Sequence, residues 1–167
     1  IKRIVVMGGA DTCHGTNTPA AEFNIAFYPE AAHVVFTSFK HLLVSGWEAT
    51  VAHGLPLEQA EQWLQADTDR ARFYELISRK TRALSEDAKG GRWYTADAVA
   101  MAWALHPEGQ LQAESRPLNV ELNGTFSRGA TIVDWNRQTG QPDNCDLLMA
   151  YDQARFEALV RQALGAN

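Results

Sequence analysis

One carboxylate and one carboxamide stand two positions apart in this chain, at Glu22 and Asn24, with Phe23 between them. A carboxylate accepts hydrogen bonds from two hydroxyls, and a carboxamide both donates and accepts. The pair therefore suits a ligand that carries several hydroxyl groups. It follows a loop rich in Gly, Thr and Asn over residues 8–21, and that loop includes Thr16 and Asn17.

A second group of polar residues begins a predicted helix over 95–105. Thr95 suits the helix N-cap, and Asp97 would lie in the first turn, where the helix dipole favours an anion. An isolated aspartate is fully explained by that capping role. As a ligand for a metal such as calcium, which requires several hard oxygen donors, one aspartate is insufficient.

The elements that position these residues follow from hydrophobic patterning. Residues 2–7 are predicted to form a buried parallel strand, because Ile4 to Met7 are continuously apolar rather than alternating. A short strand is expected at 41–45 and a last strand at 147–151. Helices are predicted to start at Pro29, over 56–66, over 68–85 with apolar positions Phe73, Leu76, Ile77 and Leu84, and over 152–164; a break is predicted at Gly90-Gly91.

A hairpin is predicted late in the chain. Residues 111–122 and 125–135 alternate between apolar and polar and flank Asn123-Gly124, a strong signal for a tight turn. Arg128 and Asp134 could then pair across the two strands. Strands and helices are thus mixed, which predicts an α/β fold with a mixed sheet flanked by helices. Trp47, Trp63, Trp93 and Trp103 are expected in the core.

Composition excludes several classes of protein. The chain has 167 residues, enough for the single domain expected over 1–167, and a formal net charge of −5. An acidic chain is a poor general nucleic-acid binder. Its apolar runs are too short to cross a bilayer, and two cysteines make no disulfide framework, so a cytoplasmic location is expected. The dinucleotide fingerprint GxGxxG is absent after the first strand, which disfavours a Rossmann-type oxidoreductase.

Residues 4–24, with the sequence IVVMGGADTCHGTNTPAAEFN, resemble the stretch of the inosine–uridine-preferring nucleoside hydrolase family that runs from a strand into the ribose-binding loop. Family members carry a string that ends in Ala-Glu-Phe-Asn and is followed by Pro-Glu-Ala-Ala, which matches residues 21–24 and 29–32. The hairpin at 123–134 resembles a Gly-x-x-x-Arg-Gly-x-Thr-Val-x-Asp segment of the family, which we interpret as scaffold.

The resemblance implies roles for individual residues. Glu22 and Asn24 would bind ribose hydroxyls, with Met7, Thr16, Asn17 and Phe23 as further ribose-site residues. The family has asparagine directly after the loop glycine, whereas this chain has Thr16 there and Asn17 one position later.

Asp97 matches a calcium-ligating aspartate of the family. Ala96 and Tyr74 would lie at the nucleobase. Many members have a histidine, thought to protonate the leaving base, where this chain has Ala96. Either another residue, such as His14, would have to serve, or the base would have to depart without an acid.

The resemblance also implies that the chain is the C-terminal portion of a nucleoside hydrolase-like fold, with the N-terminal strands absent. The family's Asp-x-Asp-x-x-x-Asp-Asp cluster, which supplies most calcium ligands and activates water, has no counterpart here. The start at Ile1, directly before a β-branched run, is consistent with an interior start.

The complete parent is expected to hydrolyse the N-glycosidic bond of ribonucleosides with Ca²⁺ and water, in purine and pyrimidine salvage. We expect this chain to be inactive alone, to contain no catalytic residue, and to be completed by a homo-oligomer or a complementary N-terminal chain. The alternative is a non-catalytic module that binds ribose or a nucleoside, or a remnant that keeps only the fold.

Overall fold

The computed structural model describes residues 2–88 and 91–166, and for residues 84–88 it describes the backbone alone. The strands are β1 (Val5–Met7), β2 (Leu42–Ser45), β3 (Leu55–Pro56), β4 (Arg92–Trp93), β5 (Gln110–Arg116), β6 (Leu118–Val120), β7 (Thr131–Val133) and β8 (Cys145–Tyr151). The helices are α1 (Phe23–Phe27), α2 (Pro29–Ser38), α3 (Trp47–Ala52), α4 (Leu57–Leu64), α5 (Asp69–Ala88), α6 (Ala96–Leu105) and α7 (Gln153–Leu164), with a 3₁₀ turn at Pro107–Gly109.

The main sheet has the strand order β1-β2-β8-β5. Strand β1 pairs in parallel with β2, and β2 pairs in parallel with β8, while β5 runs antiparallel to β8. The sheet is therefore mixed, and the predictions of an α/β class and of a parallel first strand are confirmed. Among the described strands, β1 has a neighbour on one side only, so it forms an edge.

Two apolar cores cover the two faces of this sheet. Successive side chains of a strand point to opposite faces, so Leu43 of β2 packs into one core while Leu42 and Val44 pack into the other. The first core lies under α3 to α7 and contains the buried residues Trp63, Trp93, Trp103, Tyr151 and Phe156. The second core lies under α2 and the β6–β7 hairpin and contains Phe36, Leu118 and Leu147. Three of the four tryptophans expected in the core are buried, whereas Trp47 is only half-buried.

Two short helices were not predicted from the sequence. Helix α1 begins directly after the loop, at Phe23, and α3 begins at Trp47 immediately after β2. With five and six residues, both are too short to repeat an amphipathic pattern, so their conformation depends on capping and on contacts distant in the chain.

The predicted hairpin is correct as a motif but wrong in its details. Only residues 118–120 and 131–133 form it, and the segment before Pro117 joins the main sheet beside β8 instead. Asn123 and Gly124 do not close a two-residue turn, because both of their amides donate to the Glu121 carboxylate, at 2.7 and 3.0 Å, within a longer connection.

The predicted pair between Arg128 and Asp134 is also wrong. Arg128 donates to Glu30 at 2.6 Å and to the carbonyl of Leu122, so it ties the hairpin to α2. Asp134 instead accepts from the backbone amides of Gln138 and Thr139 at 2.8 and 2.7 Å. Its carboxylate therefore caps the following turn.

Helix α5 presents an apolar face to solvent. Phe73, Leu76 and Ile77, which the periodicity marked as apolar positions, are 63%, 64% and 54% exposed. The predicted contributions of the Leu84 side chain and of Gly90 lie outside the described residues. No helix within 2–88 or 91–166 has both the length and the apolar character to cross a membrane.

Candidate functional site

The carboxyl end of β1 leads directly into the candidate site. The chain leaves Met7 through Gly8 and Gly9, and Gly9 has a φ of +87°. A Cβ atom at Gly9 would come within 2.8 Å of the Thr131 side chain. Glycine is therefore required there by both backbone conformation and space. The turn lies at the end of parallel strands, where open α/β sheets bind ligands.

The Glu22 carboxylate is buried and oriented at this turn. Its side chain is 3% exposed, and Oε2 accepts hydrogen bonds from the backbone amides of Gly9 at 3.1 Å and Asn24 at 3.0 Å. The second bond makes Glu22 the N-cap of α1, which explains why the helix begins at Phe23. The carboxylate is thus held through one oxygen by two backbone amides.

The Asn24 side chain lies beside the end of β1. Its Nδ2 donates to the Met7 carbonyl at 3.3 Å and lies 3.1 Å from the Met7 sulfur. Thr16 Oγ1 accepts from the Phe23 amide at 3.1 Å. The structure therefore brings five predicted ribose-site residues together: Met7, Thr16, Glu22, Phe23 and Asn24.

Three consecutive amides of the loop before Glu22 donate to the same backbone carbonyl. The amides of Thr16, Asn17 and Thr18 all donate to the Ala21 carbonyl, at 3.1, 3.1 and 3.3 Å. Asn17 is exposed and belongs to the same loop. Phe23 is 54% exposed and packs its ring 4.6 Å from that of Phe27, so it borders the site from the outside.

A cavity of about 480 Å³ contains the second predicted group of residues. Its lining includes Tyr74, Ser78, Trp93, Thr95, Ala96 and Asp97. The Tyr74 ring lies 5.6 Å from that of Trp93. Burial, and to a lesser extent the charge of Asp97, raise the pKa of the Tyr74 hydroxyl above its ordinary value. Aromatic rings and one carboxylate thus meet at the start of α6.

Thr95 occupies the N-cap position of α6 but does not cap it with its side chain. Its Oγ1 is buried and finds no hydrogen-bond partner within the described part of the chain. Its carbonyl accepts from the amides of Ala98 and Val99 at 3.0 and 3.3 Å. The capping that the sequence predicts for Thr95 is therefore wrong for the hydroxyl.

The direction of α6 places this cavity toward the end of the sheet at which β1 ends. Arg3, just before β1, donates to the carbonyl of Ala104 in the last turn of α6, at 3.5 Å. The helix packs along β1 and therefore runs antiparallel to it. Its first turn, with Asp97, lies toward the carboxyl end of β1, where Met7 is found. The two groups of residues share one end of the sheet.

A calcium ion is not held by these residues alone. Calcium takes six to eight oxygen ligands, and Asp97 supplies one exposed carboxylate. Across residues 2–88 and 91–166 there is no group of three or more His, Cys, Asp or Glu side chains that could hold a metal ion. Asp97 fits the role of one ligand in a larger set.

Residue 96 presents a methyl group to the cavity, and His14 lies elsewhere. His14 Nδ1 is 2.8 Å from Thr12 Oγ1, on the exposed loop, and His14 is not among the residues that line the cavity. The geometry therefore gives no support to His14 as a proton donor at the cavity.

Two acidic residues near the turn were missed from the sequence. Asp11 is buried two residues after Gly9, and Glu48 of α3 accepts from the backbone amides of Asp11 and Thr12. The available signal was the position of each: both follow a parallel strand, and the carboxyl ends of parallel strands meet at one edge.

Comparison with known proteins gives a consistent match. The model of the inosine-uridine preferring nucleoside hydrolase family matches residues 1–158. The chain is 32% identical over 169 residues to the pyrimidine-specific ribonucleoside hydrolase RihA of Escherichia coli O8 (strain IAI1), covering 98% of this chain and 53% of the relative.

Solved structures agree with that match. An inosine-guanosine nucleoside hydrolase superposes with a TM-score of 0.87 at 27% identity, over 97% of this chain and 51% of the other. A purine-preferring ribonucleoside hydrolase from Gardnerella vaginalis superposes with a TM-score of 0.80 at 26% identity, again over 97% and 51%. The chain spans about half the length of the relatives it matches.

Proposed function

Because the chain belongs to the inosine-uridine preferring nucleoside hydrolase family, we propose that Glu22, Asn24 and Met7 form a ribose clamp for a ribonucleoside. The observation that carries this proposal is the oriented Glu22 carboxylate, which is 3% exposed and held through Oε2 by two backbone amides. A carboxylate fixed in this way accepts from sugar hydroxyls without first losing rotamer freedom.

Asn24 completes the polar side of the ribose clamp. Its Nδ2 is engaged with Met7, which orients the carboxamide so that its oxygen can accept from a second hydroxyl. Met7 provides an apolar surface for the sugar ring, and Thr16, Asn17 and Phe23 border the pocket. The Glu22 carboxylate and the Asn24 carboxamide would bind two adjacent hydroxyls of the sugar. A ribonucleoside is therefore favoured over a deoxyribonucleoside, which lacks one of these hydroxyls and would leave a buried acceptor unpaired.

The nucleobase is proposed to enter the cavity at the start of α6. Tyr74 and Trp93 supply aromatic faces there, and Ala96 leaves room beside them. Asp97 is proposed as one ligand of a Ca²⁺ ion whose other ligands come from outside this chain. The described residues bind and orient a nucleoside in this scheme.

The hydrolytic activity is proposed for a completed domain rather than for this chain alone. Residues 1–167 would form the C-terminal portion of a nucleoside hydrolase-like domain that cleaves the N-glycosidic bond in cytoplasmic nucleoside salvage. The relatives are about twice as long as the matched region. A complementary N-terminal half, rather than a second copy of this chain, is the proposed partner.

The surface available for that half lies along β1. Strand β1 pairs with β2 on one side and with no described strand on the other, although parallel strands are ordinarily covered. Beside it, α6 exposes Met101 at 57% and Leu105 at 66%. These residues line a groove of about 340 Å³ against α7. A strand that extends the sheet, with a helix laid over Met101 and Leu105, fits this surface.

The second candidate function is a non-catalytic module that binds ribose or a nucleoside. Two observations favour it: a methyl group at residue 96, where many members carry a histidine, and a cavity lining in which Asp97 is the one acidic side chain among the described residues. The ribose clamp is common to both candidates, so its test comes first.

That test is calorimetric titration of the purified chain with Ca²⁺, and then with ribose and inosine in its presence. Glu22→Gln should weaken ribose binding about 10- to 100-fold, as expected for a lost charged hydrogen bond, whereas Glu58→Gln on α4 should leave it unchanged. Absence of binding by the unmodified chain at millimolar ribose would overturn the ribose clamp.

The two candidates are separated by co-expression with the N-terminal half of E. coli RihA. A stoichiometric complex that hydrolyses uridine supports the completed enzyme. A complex without hydrolysis, or nucleoside binding by the lone chain with no complex, supports the non-catalytic module.

A further inference from the structure

Four consecutive backbone amides after β1 are each held by a side chain. Gly9 donates to Glu22 Oε2 at 3.1 Å, and Ala10 donates to Thr131 Oγ1 at 2.9 Å. The amides of Asp11 and Thr12 donate to the two oxygens of Glu48, each at 2.8 Å. This arrangement leaves the segment 9–12 little freedom to move relative to the sheet.

Glu48 accepts two of these four amide hydrogen bonds. Its Oε1 also accepts from Thr12 Oγ1 at 2.5 Å, so one carboxylate receives three hydrogen bonds. Glu48 lies in the first turn of α3, directly after β2, and its neighbour Trp47 donates from its amide to the Gly9 carbonyl at 2.8 Å. The first turn of α3 therefore hydrogen-bonds to both ends of the segment 9–12.

The held segment ends at the ribose clamp. Gly9 is bonded through its carbonyl to α3 and through its amide to the Glu22 carboxylate. A shift of residues 11 and 12 would turn the adjoining peptides, and the Gly9 amide would no longer point at Glu22 Oε2. Glu22 and Glu48 are thus connected through the backbone of residues 9–12.

Asp11 lies in the middle of the segment. Its side chain is 4% exposed, and neither carboxyl oxygen has a hydrogen-bond partner within the described chain. A Cβ atom at Gly46 would come within 2.8 Å of Asp11 Oδ1, so the carboxyl group is packed directly against that backbone. Burial first, and then the charge of Glu48, raise the pKa of Asp11 to about 7.

The groups that face Asp11 come from several elements. Glu48 of α3 is the charged one, and Cys145 of β8 is a thiol whose pKa burial raises to about 12. Trp135, after β7, donates from Nε1 to the Asp11 carbonyl at 3.2 Å. On the loop itself, burial raises the pKa of the Cys13 thiol, and His14 is joined to Glu48 through Thr12.

We propose that Glu48 is a positioning residue of the ribose clamp: by holding the amides of Asp11 and Thr12 it aims the Gly9 amide at Glu22. The ribose clamp itself rests on the function proposed above. Ionisation of the buried Asp11 beside Glu48 opposes this orientation of the segment. The hydrogen bond from the Gly9 amide to Glu22 therefore weakens as the pH rises through neutrality.

Amide hydrogen exchange followed by NMR tests the positioning without any ligand. In Glu48→Gln, a donor replaces one acceptor oxygen, so the amides of Asp11 and Thr12 should exchange at least tenfold faster. The amides of Gly9 and Asn24, which bond to Glu22 and not to Glu48, should do the same. Glu48→Asp keeps both carboxylate oxygens on a side chain that is one methylene group shorter, and it should give intermediate exchange rates. If Glu48→Gln does not fold, Glu48→Asp is the variant that tests the proposal.

The control is Glu157→Gln on α7, which should leave all four rates unchanged. If Asp11 and Thr12 exchange faster while Gly9 and Asn24 do not, Glu48 anchors only its own two amides and the proposal is wrong. The same rates measured from pH 5.5 to 8.5, corrected for intrinsic exchange, should rise at Gly9 and Asn24 in the unmodified chain. In Asp11→Asn that rise should be absent, and in His14→Gln it should persist.

Titration with ribose over the same pH range adds a separate readout. Affinity should fall at high pH in the unmodified chain and stay level in Asp11→Asn. Absence of ribose binding at every pH would overturn the ribose clamp as a function, while the exchange rates would still decide whether Glu48 positions Glu22.

Discussion

Glu22 Oε2 accepts a hydrogen bond from the backbone amide of Gly9, thirteen positions earlier in the chain, at 3.1 Å. The bond joins the end of β1 to the start of α1 and closes the loop that contains Thr16 and Asn17. The carboxylate that suits a polyhydroxyl ligand is thereby part of the backbone scaffold as well. Changes in the turn should therefore affect stability and binding together.

Gly9→Ala is expected to destabilise the chain more than an ordinary glycine replacement. The new methyl group would require φ near +87° and would meet Thr131 at 2.8 Å. The conformational strain alone costs about 1 kcal/mol, and the clash adds to it, so a loss of about 2–4 kcal/mol is expected. Urea denaturation measures it.

Gly140→Ala is the matched control for Gly9→Ala. Gly140 also has a positive φ, +67°, but an added Cβ would have no neighbour within 4 Å. Its cost should stay near 1 kcal/mol. Equal losses for the two variants would show that the contact with Thr131 does not constrain the turn.

Asp11→Asn should change the pH dependence of stability in a defined direction. The pKa of Asp11 is about 7 in the folded chain, against an ordinary value of 3.8. Between these values the folded state keeps a proton that the unfolded state releases, so this group makes stability fall as the pH rises from about 4 to 7. The effect levels off above pH 7 and amounts to about 4 kcal/mol at most.

Denaturant unfolding of both proteins at pH 5 and pH 8 measures this effect. Asp11→Asn should be more stable relative to the unmodified chain at pH 8 than at pH 5. Carboxylates whose pKa is lowered by hydrogen bonds, such as Asp134 and Asp143, act in the opposite direction at lower pH, but they are common to both proteins and cancel. A difference that does not change with pH would contradict a buried, protonated Asp11.

Phe156→Ala should cost about 3–5 kcal/mol, the usual loss for truncating a buried aromatic ring. Phe156 is fully buried and packs α7 onto the first core. Phe126→Ala, at a side chain that is 85% exposed on the hairpin connection, should change the free energy of unfolding by less than about 0.5 kcal/mol. Similar losses at the two sites would place α7 outside the cooperative core.

Met101→Glu and Leu105→Glu should prevent association with a completing N-terminal half. Both residues are exposed on α6 beside the edge strand β1, and a charge there would be buried unpaired in the complex. Analytical ultracentrifugation with the RihA N-terminal half measures the change. Leu111→Glu on β5, which is 69% exposed at the opposite edge of the sheet, should leave association intact; loss of association in that variant too would assign the interface elsewhere.

Local patterning predicted most elements of this chain. The continuous apolar run before Gly8 indicated a parallel strand, and Pro29 marked the first turn of α2. The helix predicted over 152–164 corresponds to α7. These features depend on residues close together in the chain, where periodicity and capping rules act. The candidate ribose residues were likewise found because Glu22 and Asn24 stand only two positions apart in the sequence.

Features that depend on distant partners could not be predicted in this way. Strand β5 was assigned to the late hairpin because its neighbours in sequence alternate, but it pairs with β8, where Ser115 lies opposite Asp146. The partners of Arg128 and the burial of Asp11 are decided in the same manner, by elements that meet only after folding.

The sequence by itself determined most of the elements, the family, and the carboxylate and carboxamide that stand two positions apart. Only the tertiary structure placed Glu48 against the segment after β1, brought Asp97 to the end of the sheet where Met7 lies, and left the β1 edge and the apolar faces of α5 and α6 exposed. The physical reason is that side-chain periodicity records which face of an element is apolar. What that face contacts is decided by the packing of the whole chain.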